Sequence, residues 1–327
     1  MEIRILRGAE VRKLLPMRDC IDLMQRTMIA VSEGKVVLPL RSILGLPNER
    51  GMMGVMPGYL AEPECFGVKL ISLMPRNKPP LYSSHLGLVL LFEAEHGQPI
   101  ALLDAAEITA IRTAAASGLA TRLLARADAG DLALLGAGEQ ARSHLEAMLS
   151  VRPLRRVRIW ARDRDKARSF AELEGARHQV SIETTATVRE AIAGADIICT
   201  TTKAREPVVL GDWLVPGVHL NLVGSSIAAA AEIDTPAVVK ARFFVDCRNS
   251  TVNEGGEYLT ALKAGAIHPS HILAEIGEVA NGSKQGRSSP LDITLYKSLG
   301  IASQDLASAH YVFEKARAAG IGQVIDF

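Results

Sequence analysis

A glycine-rich segment in the middle of the chain is the residue pattern with the most evident chemistry. Gly136-Ala137-Gly138-Glu139-Gln140-Ala141 follows the apolar run 131–135 and precedes a predicted helix over 139–149. Glycines in this position let the backbone approach a pyrophosphate, which then lies at the positive end of the helix. A glycine turn in an unrelated α/β domain is the alternative, but the strand–turn–helix context favours dinucleotide binding.

The residues after the second predicted strand bear on which dinucleotide is bound. Sites for NAD usually hold the ribose hydroxyls with a carboxylate at this point. Here Ala161 takes that place and Arg162 follows, and a guanidinium binds a 2′-phosphate well. Asp163 is the ribose ligand instead if the strand ends two residues later, and Arg162 and Arg164 could simply be solvated. The sequence predicts NADP(H) as the preferred cofactor, with NAD(H) as the alternative.

The elements around these residues alternate in type between residues 131 and 246. The predicted strands are 131–135, 157–160, 181–184, 195–200, 219–223 and 242–246, with helices over 139–149, 165–174 and 187–192 between the first four. Such alternation predicts a doubly wound parallel sheet with right-handed crossovers, the Rossmann form of the α/β class.

The first third of the chain has a different pattern. An amphipathic helix over 15–33 precedes strand-like segments at 36–40, 51–56, 66–73 and 87–93, with a hairpin turn at 95–98. An alanine-rich helix over 108–125 then leads onward, and a last helix over 305–319 returns. We therefore expect an α+β domain over 1–117 joined by 303–327, and a Rossmann domain over 118–302.

The composition excludes several classes of protein. The 37 Lys and Arg residues nearly balance 36 Asp and Glu, which argues against a nucleic-acid partner bound by broad phosphate neutralisation. The four cysteines form no C-x-x-C pair and the histidines have no metal-ligand spacing, so we expect neither a disulfide framework nor a metal site. No apolar run approaches the ~18 residues of a membrane span, and no secretory signal is evident. These features predict a cytoplasmic protein without a membrane partner.

Several segments together resemble the ornithine cyclodeaminase/μ-crystallin family, closest to its ketimine reductase branch. The resemblance covers nearly the whole chain. The matching segments are Gly67-Val68-Lys69, Arg112-Thr113-Ala114-Ala115-Ala116, 135–141, 158–160, Glu206-Pro207, 216–221 and Lys297-Ser298-Leu299-Gly300. The resemblance implies a homodimer whose first domain binds the substrate and forms the dimer interface. The resemblance also implies a small amino or imino acid as the substrate.

Three cations match the positions that bind the substrate carboxylate in that family, namely Arg41, Lys69 and Arg112. Lys69 stands inside an apolar strand, where a charge is costly without a function. Arg41 could instead be a surface loop residue, and Arg112 could lie on a solvated helix face. Lys69 could assist by donating a proton or by electrostatics, and Arg112 could also touch the cofactor.

Ser226 is where this chain departs from the ornithine cyclodeaminases, which place an aspartate there. Serine has no comparable basicity near neutral pH and cannot take over that acid–base role. We therefore expect Ser226 to be part of a site that reduces a preformed imine, of the Δ1-pyrroline-2-carboxylate or Δ1-piperideine-2-carboxylate type. The alternatives are an ornithine cyclodeaminase, an amino-acid dehydrogenase like alanine dehydrogenase, and a non-catalytic crystallin-like protein that binds NADPH.

The predicted cofactor-binding residues combine the glycine loop, the end of the second strand, later strand ends and the family matches. His85 could equally be a structural histidine. The set is Ser84, His85, Arg112, Thr113, Gly136, Gly138, Glu139, Gln140, Ala161, Arg162, Asp163, Thr202, Val223, Gly224, Ser225, Ser298, Leu299 and Gly300.

Overall fold

The computed structural model describes residues 2–77 and 85–326. The first elements are β1 (Glu2–Leu6), α1 (Gly8–Leu14), α2 (Met17–Ser32), β2 (Val36–Val37), β3 (Ser42–Gly45), β4 (Met52–Ala61), β5 (Glu64–Leu73), β6 (His85–Glu93), β7 (Pro99–Asp104) and α3 (Ala105–Leu124). They are followed by β8 (Asp131–Leu135), α4 (Glu139–Val151), β9 (Arg156–Trp160), α5 (Arg164–His178), β10 (Ile182–Thr184), α6 (Val188–Ile192), β11 (Ile197–Thr200), β12 (His219–Leu222), α7 (Thr235–Lys240), β13 (Arg242–Val245), α8 (Arg248–Glu254), α9 (Gly256–Lys263), β14 (Ile272–Glu275), α10 (Ile276–Ala280), β15 (Thr294–Lys297), α11 (Ala302–Ala319) and β16 (Gln323–Asp326).

The chain divides into two compact units. Unit 1 comprises Met1–Arg112 and Ile301–Phe327, and unit 2 comprises Thr113–Gly300. The sequence placed these boundaries at 117/118 and 302/303. Unit 1 is an α+β unit and unit 2 is an α/β unit with a parallel sheet, which confirms the predicted fold class.

Unit 1 is built on a mostly antiparallel sheet. Its strand order is β16-β1-β7-β6-β5-β4-β2, with β3 paired to β4. Side chains alternate between the two faces of each strand, so Cys65, Gly67 and Lys69 of β5 point the same way, and all three are buried. Helix α11 packs on β4, β5 and β6 and also against α2. This covered face of the sheet is the core of unit 1.

Two glycines allow α11 to approach that face closely. A Cβ on Gly67 would lie 2.3 Å from the Leu90 carbonyl oxygen and 2.9 Å from a methyl carbon of Leu306. A Cβ on Gly58 would lie 3.0 Å from that of Ala302. Any larger residue at position 67 would push the helix outward. Because Gly67 lies two residues before Lys69, the same close packing brings the first turn of α11 to Lys69.

The opposite face of the unit 1 sheet is apolar and open. Cross-strand pairing aligns Leu44, Met53 and Leu86 in one row, and Leu88 in the next. These side chains are 56%, 38%, 54% and 47% exposed. Ser72 lies between Met53 and Leu86 in the first row, and exposed apolar side chains grouped in this way are typical of interaction surfaces. We call these four residues the open sheet face.

Unit 2 is built on a fully parallel sheet in the order β10-β9-β8-β11-β12-β15-β13-β14. Its central strands are buried along their whole length, as helices on both sides of a parallel sheet require. From β8 the chain builds outward to β9 and β10 and then returns to add β11 and β12 on the other side. The strand order thus reverses between β8 and β11, and such a point is where open α/β sheets bind their ligands.

Several predicted elements need correction. The strand predicted at 36–40 ends after Val37, because Pro39 has no N–H group to donate to a neighbouring strand. Strands β14 and β15 were missed. Strand β15, with sequence Thr-Leu-Tyr-Lys, is too short and too polar at its ends to give a clear apolar run. Among the described residues, no helix is long and apolar enough to cross a membrane.

Candidate active site

The glycine loop lies between β8 and α4 in unit 2, with Gly138 as the residue that precedes the helix. Gly136 has φ +112°, and a Cβ there would lie 2.7 Å from the carbonyl oxygen of Thr201. Only glycine suits that position. A Cβ on Gly138, by contrast, would have no heavy atom within 4 Å. The loop therefore packs tightly on its inner side and leaves its outer side open, which fits the close approach of a pyrophosphate to backbone N–H groups.

The residues that follow β9 are those that the sequence assigned to the ribose. The strand ends at Trp160, so Ala161 is the first residue after it, and Arg162 is exposed next to Ala161. Asp163 caps α5, because its Oδ1 accepts from the backbone N–H groups of Asp165 and Lys166 at 3.1 and 3.2 Å. The carboxylate of Asp163 is thus engaged by its own helix.

A cleft of about 550 Å³ opens beside the glycine loop. It is lined by Gly138, Glu139 and Arg142 on one side, and by Asp163 and Lys166 on the other, together with neighbouring residues of α5. Its volume lies within the range of small-molecule sites. The cleft lies against the residues that the sequence assigned to the dinucleotide.

Beyond the glycine loop, the carboxylate of Glu232 joins the ends of β11 and β12. It accepts hydrogen bonds from the Thr200 hydroxyl at 2.6 Å, the Thr202 hydroxyl at 2.7 Å and the Thr202 N–H at 2.8 Å. It also accepts from the backbone N–H groups of Gly224 at 2.7 Å and Ser225 at 3.3 Å. Burial raises the pKa of Glu232, and the surrounding donors oppose that rise.

A second buried carboxylate, that of Glu257, lies next to the first. It pairs with Lys297 at 2.8 Å and accepts hydrogen bonds from the Ser225 hydroxyl and from the Glu232 N–H. Lys297 also donates to the hydroxyl and carbonyl oxygens of Ser225. The polar atoms of Ser225 are therefore used inside unit 2, and the Thr202 hydroxyl is bound to Glu232. Both residues were predicted as cofactor ligands, and their hydroxyls are bound to buried charged groups of unit 2.

The segment 298–300 is held by Asp246, which accepts from the backbone N–H groups of Leu299 at 2.8 Å and Gly300 at 2.7 Å. Gly300 has a left-handed φ of +78°. Within the described part of the chain, the buried hydroxyls of Ser298 and Thr113 have no hydrogen-bond partner. Other buried hydroxyls of the described residues, such as that of Ser143, also have no partner, but a polar ligand bound at the strand ends would satisfy those of Ser298 and Thr113. These residues of unit 2 thus fit a dinucleotide.

In unit 1, Asp305 lies between two of the predicted substrate-binding cations. Its Oδ2 lies 2.7 Å from Lys69 Nζ, and its Oδ1 accepts from Arg112 Nε at 2.9 Å. Arg112 also donates from Nη1 to the side-chain oxygen of Gln304 at 2.7 Å. All four side chains are buried, with Lys69 only 2% exposed. Lys69 and Arg112 are therefore not solvated surface charges.

The charges of this cluster do not balance. Burial lowers the pKa of Lys69 to about 8, Asp305 opposes this, and the positive charges of Arg112 and Arg41 lower it further. Arg41, the third predicted cation, is half-buried. Lys69 and Arg112 share the single carboxylate of Asp305, and a bound carboxylate would offset this excess of positive charge.

The remaining predicted residues have different surroundings. Ser226 is half-buried in the loop after β12, and Val223 is buried just before it. His85 is the half-buried first residue of β6. Ser84 lies outside the described residues. Where residues are described, no cluster of His, Cys, Asp or Glu is arranged to hold a metal ion.

Sequence reasoning missed the buried partners of the site. It named neither Asp305 nor Gln304 in unit 1, and neither Glu232, Glu257 nor Asp246 in unit 2. One signal was present, since Lys297 follows Leu295-Tyr296 much as Lys69 follows Gly67-Val68. A lysine in an apolar strand implies a buried acidic partner, although the sequence alone does not identify it.

The Lys69–Asp305 contact leads to a prediction about stability. The substitution Asp305→Asn leaves two buried cations without their counter-ion, so we expect the free energy of unfolding to fall by about 3–5 kcal/mol. Urea unfolding measures this change. Asp212→Asn is the matched control, because it breaks an exposed pair with Lys240 and should change stability by less than about 1 kcal/mol. Equal stability of Asp305→Asn and wild type would contradict the assigned pairing.

Known proteins share both the sequence pattern and the fold. A model of the ornithine cyclodeaminase/mu-crystallin family matches residues 1–320. The ketimine reductase mu-crystallin of Mus musculus is 36% identical over 282 residues, which are 86% of this chain and 86% of that protein.

Two solved structures cover almost the whole chain. The Δ1-pyrroline-2-carboxylate reductase of Thermococcus litoralis, in complex with NADH and L-proline, has a TM-score of 0.94 at 37% identity and covers 98% of this chain and 99% of its own. An archaeal alanine dehydrogenase dimer with bound NAD has a TM-score of 0.93 at 31% identity and covers 100% of both chains. The family resemblance predicted from the sequence is confirmed, and the chain belongs to the ornithine cyclodeaminase/mu-crystallin family.

Proposed function

We propose that this protein reduces a cyclic imino acid, of the Δ1-pyrroline-2-carboxylate or Δ1-piperideine-2-carboxylate type, to the cyclic amino acid with a nicotinamide cofactor. The buried cluster of Lys69, Arg112 and Asp305 carries the proposal. It offers cations for a carboxylate and a proton donor whose pKa is about 8. Such a group is largely protonated at neutral pH and still able to release its proton.

The reaction adds a hydride to the imine carbon and a proton to the nitrogen. The bound nicotinamide supplies the hydride and is oxidised in the process. Arg112, whose Nε and Nη1 are held by Asp305 and Gln304, keeps a fixed orientation in which its remaining nitrogen can bind the substrate carboxylate. Lys69 supplies the proton or stabilises the protonated imine, and Asp305 keeps both cations in place. Arg41 completes the positive surroundings of the carboxylate.

The names of the similar proteins agree with this reaction. One is a ketimine reductase and another is a Δ1-pyrroline-2-carboxylate reductase bound to L-proline, the type of product that the proposal requires. The alanine dehydrogenase among the solved structures keeps a second candidate open, the reversible amination of a 2-oxo acid. Ser226 favours imine reduction, because it provides no carboxylate base for deamination.

The proposal is tested by the oxidation of NADPH or NADH with each cyclic imine. We expect turnover with at least one imine, and a loss on the order of 10²–10⁴ in kcat for Lys69→Met while cofactor affinity is unchanged. Because only protonated Lys69 is active, kcat/KM of the wild type, which reports the free enzyme, should fall as pH rises through about 8.

Lys69→Arg provides the control for that pH dependence, since arginine stays charged. Any decline that comes from deprotonation of the imine itself persists in this variant, and the part that belongs to Lys69 disappears. Turnover of pyruvate plus ammonia without turnover of either imine would favour the dehydrogenase instead. Formation of proline and ammonia from ornithine would contradict the interpretation of Ser226.

For the cofactor, we propose a preference for NADP(H) over NAD(H). The similar structures contain NADH or NAD, so the preference rests on this chain's own residues at the end of β9. Ala161 removes the ribose-binding carboxylate, Asp163 is engaged as a helix cap, and Arg162 is exposed where a 2′-phosphate would lie. A guanidinium there both attracts and orients the phosphate.

This preference predicts different effects on the two cofactors. Arg162→Ala should raise KM for NADPH by about 10- to 100-fold, the loss expected for a charged hydrogen bond, and leave KM for NADH within twofold. Arg164→Ala, which removes an equally exposed arginine two residues later, is the control and should change neither value. A wild-type protein with the lower KM for NADH would overturn the preference.

We also propose that the protein is a homodimer formed through the open sheet face of unit 1. Leu44, Met53, Leu86 and Leu88 provide the exposed apolar surface that an interface core requires. The similar alanine dehydrogenase is a dimer. The cysteines Cys20, Cys65, Cys199 and Cys247 form no disulfide, which suits a reducing compartment such as the cytoplasm, the location that we propose.

The dimer predicts a mass in solution of twice that of a single chain. Introducing charges into the face with Leu86→Glu and Leu88→Glu should give monomers in sedimentation or light-scattering measurements, because paired carboxylates cannot be buried there. Leu173→Glu, at a residue of α5 that is 69% exposed, is the control and should remain dimeric. A dimer that survives the double substitution would place the interface elsewhere.

A further inference from the structure

Unit 2 contains a group of buried charges that the proposed reaction does not use. Glu232, Glu257 and Lys297 are 0%, 1% and 0% exposed. We call these three residues the strand-end cluster. They contact one another through the Lys297–Glu257 ion pair and the hydrogen bond from the Glu232 N–H to Glu257.

Stability alone gives no reason for such a cluster. Taking charges out of water is costly, and a buried ion pair can often be replaced by apolar side chains of similar volume without loss of stability. Buried charges with a full set of partners do, however, fix one arrangement of the atoms around them. The contacts of the cluster therefore indicate which part of unit 2 needs a fixed geometry.

Those contacts all hold the carboxyl ends of strands. Glu232 binds Thr200 and Thr202 at the end of β11 and the N–H of Gly224 just after β12. Gly224 must be glycine, because a Cβ there would lie 2.1 Å from the Thr202 carbonyl oxygen. Lys297, the last residue of β15, extends the same network to Ser225. Three adjacent strands are thus held together at one edge of the sheet.

The glycine loop lies beside this network but contacts none of its three charged side chains directly. It follows β8, the strand beside β11, and its tight side contacts Thr201, the residue between the two threonines that Glu232 binds. A dinucleotide whose pyrophosphate lies at the glycine loop has its two halves on either side of that point. The end of β9, with Arg162, is on one side, and the ends of β11, β12 and β15 are on the other.

We propose that the strand-end cluster is a positioning device for the nicotinamide half of the cofactor. Glu232, Glu257 and Lys297 act through the loops that they hold, and touch neither the cofactor nor the substrate. The inference rests on the proposed oxidoreductase function, because only hydride transfer makes the placement of this half critical. A displacement of about 1 Å at the reacting atoms can lower the rate by about 100-fold.

The test compares the affinity for a ligand that lacks the nicotinamide half with the affinity for the whole cofactor. The double variant Lys297→Met/Glu257→Leu removes both charges of the ion pair together, so that neither member is left buried without the other. We expect its affinity for ADP-ribose, which lacks nicotinamide, to stay within twofold of wild type. Its affinity for NADH should fall about tenfold, and its kcat by about 10- to 100-fold. Titration calorimetry and steady-state rates measure these values, with NADPH and 2′-phospho-ADP-ribose as the parallel pair.

Asp196→Asn is the matched control. Asp196 is also a buried carboxylate of the same sheet, but it lies just before β11 at the opposite edge, where it accepts from Gly130 and Arg126. This variant should lose stability and keep wild-type affinities and kcat. Glu232→Gln, which places an amide among N–H and O–H donors, serves as an independent second variant and should behave like the double variant.

A purely structural cluster would give a different result. A folded double variant with kcat and NADH affinity within twofold of wild type would overturn the proposal, as would an equal loss of affinity for NADH and ADP-ribose. The binding comparison requires no turnover. If the imines prove not to be substrates, the ratio of the two affinities still decides whether the cluster positions the nicotinamide half.

Discussion

The buried carboxylate of Asp305 between Lys69 and Arg112 is the interaction on which the organisation of unit 1 depends. Lys69 points into the covered face of the sheet because the strand alternation places it there, and a buried ammonium requires a counter-ion. Helix α11, which packs directly on β5, supplies it, and Gly67 allows that approach. The last helix of the chain thus carries the counter-ion of Lys69 back to the first unit.

Both units contain a buried lysine–carboxylate pair, but the two pairs serve different purposes. In each, a lysine stands in a buried strand and pairs with a carboxylate that is distant in the sequence. The unit 1 cluster retains an excess of positive charge, so that an anionic ligand improves it. In unit 2, Glu232, Glu257 and Lys297 take their partners from the protein itself. A cluster with an excess of positive charge is suited to binding an anion, whereas charged groups that are bound to the backbone and hydroxyls of the protein are suited to holding that backbone in place.

The features that could be predicted from the sequence are those that depend on neighbouring residues, and the features that were missed depend on residues far apart in the chain. The glycine loop and the parallel sheet follow from local patterns, and Lys69 stands out against its apolar neighbours. Asp305, Glu232 and Glu257 are ordinary acidic residues in the sequence, and become partners only when elements far apart in the chain pack together. Asp163 was ambiguous for another reason. A shift of two residues in the end of β9 would decide between a helix cap and a ribose ligand, and sequence patterns do not fix strand ends that closely.

The pKa of Lys69, which depends on its surroundings in unit 1, determines when its proton moves to the substrate nitrogen. An incoming carboxylate stabilises the ammonium form, so substrate binding raises the pKa of Lys69 from about 8 and keeps the proton in place. Once hydride has reached the imine carbon, the nitrogen becomes a basic amine, and the balance for the proton shifts towards the product. Imine reduction therefore needs only a buried cation with a modest pKa and an anchor for the carboxylate. Deamination needs a base in addition, which Ser226 does not provide.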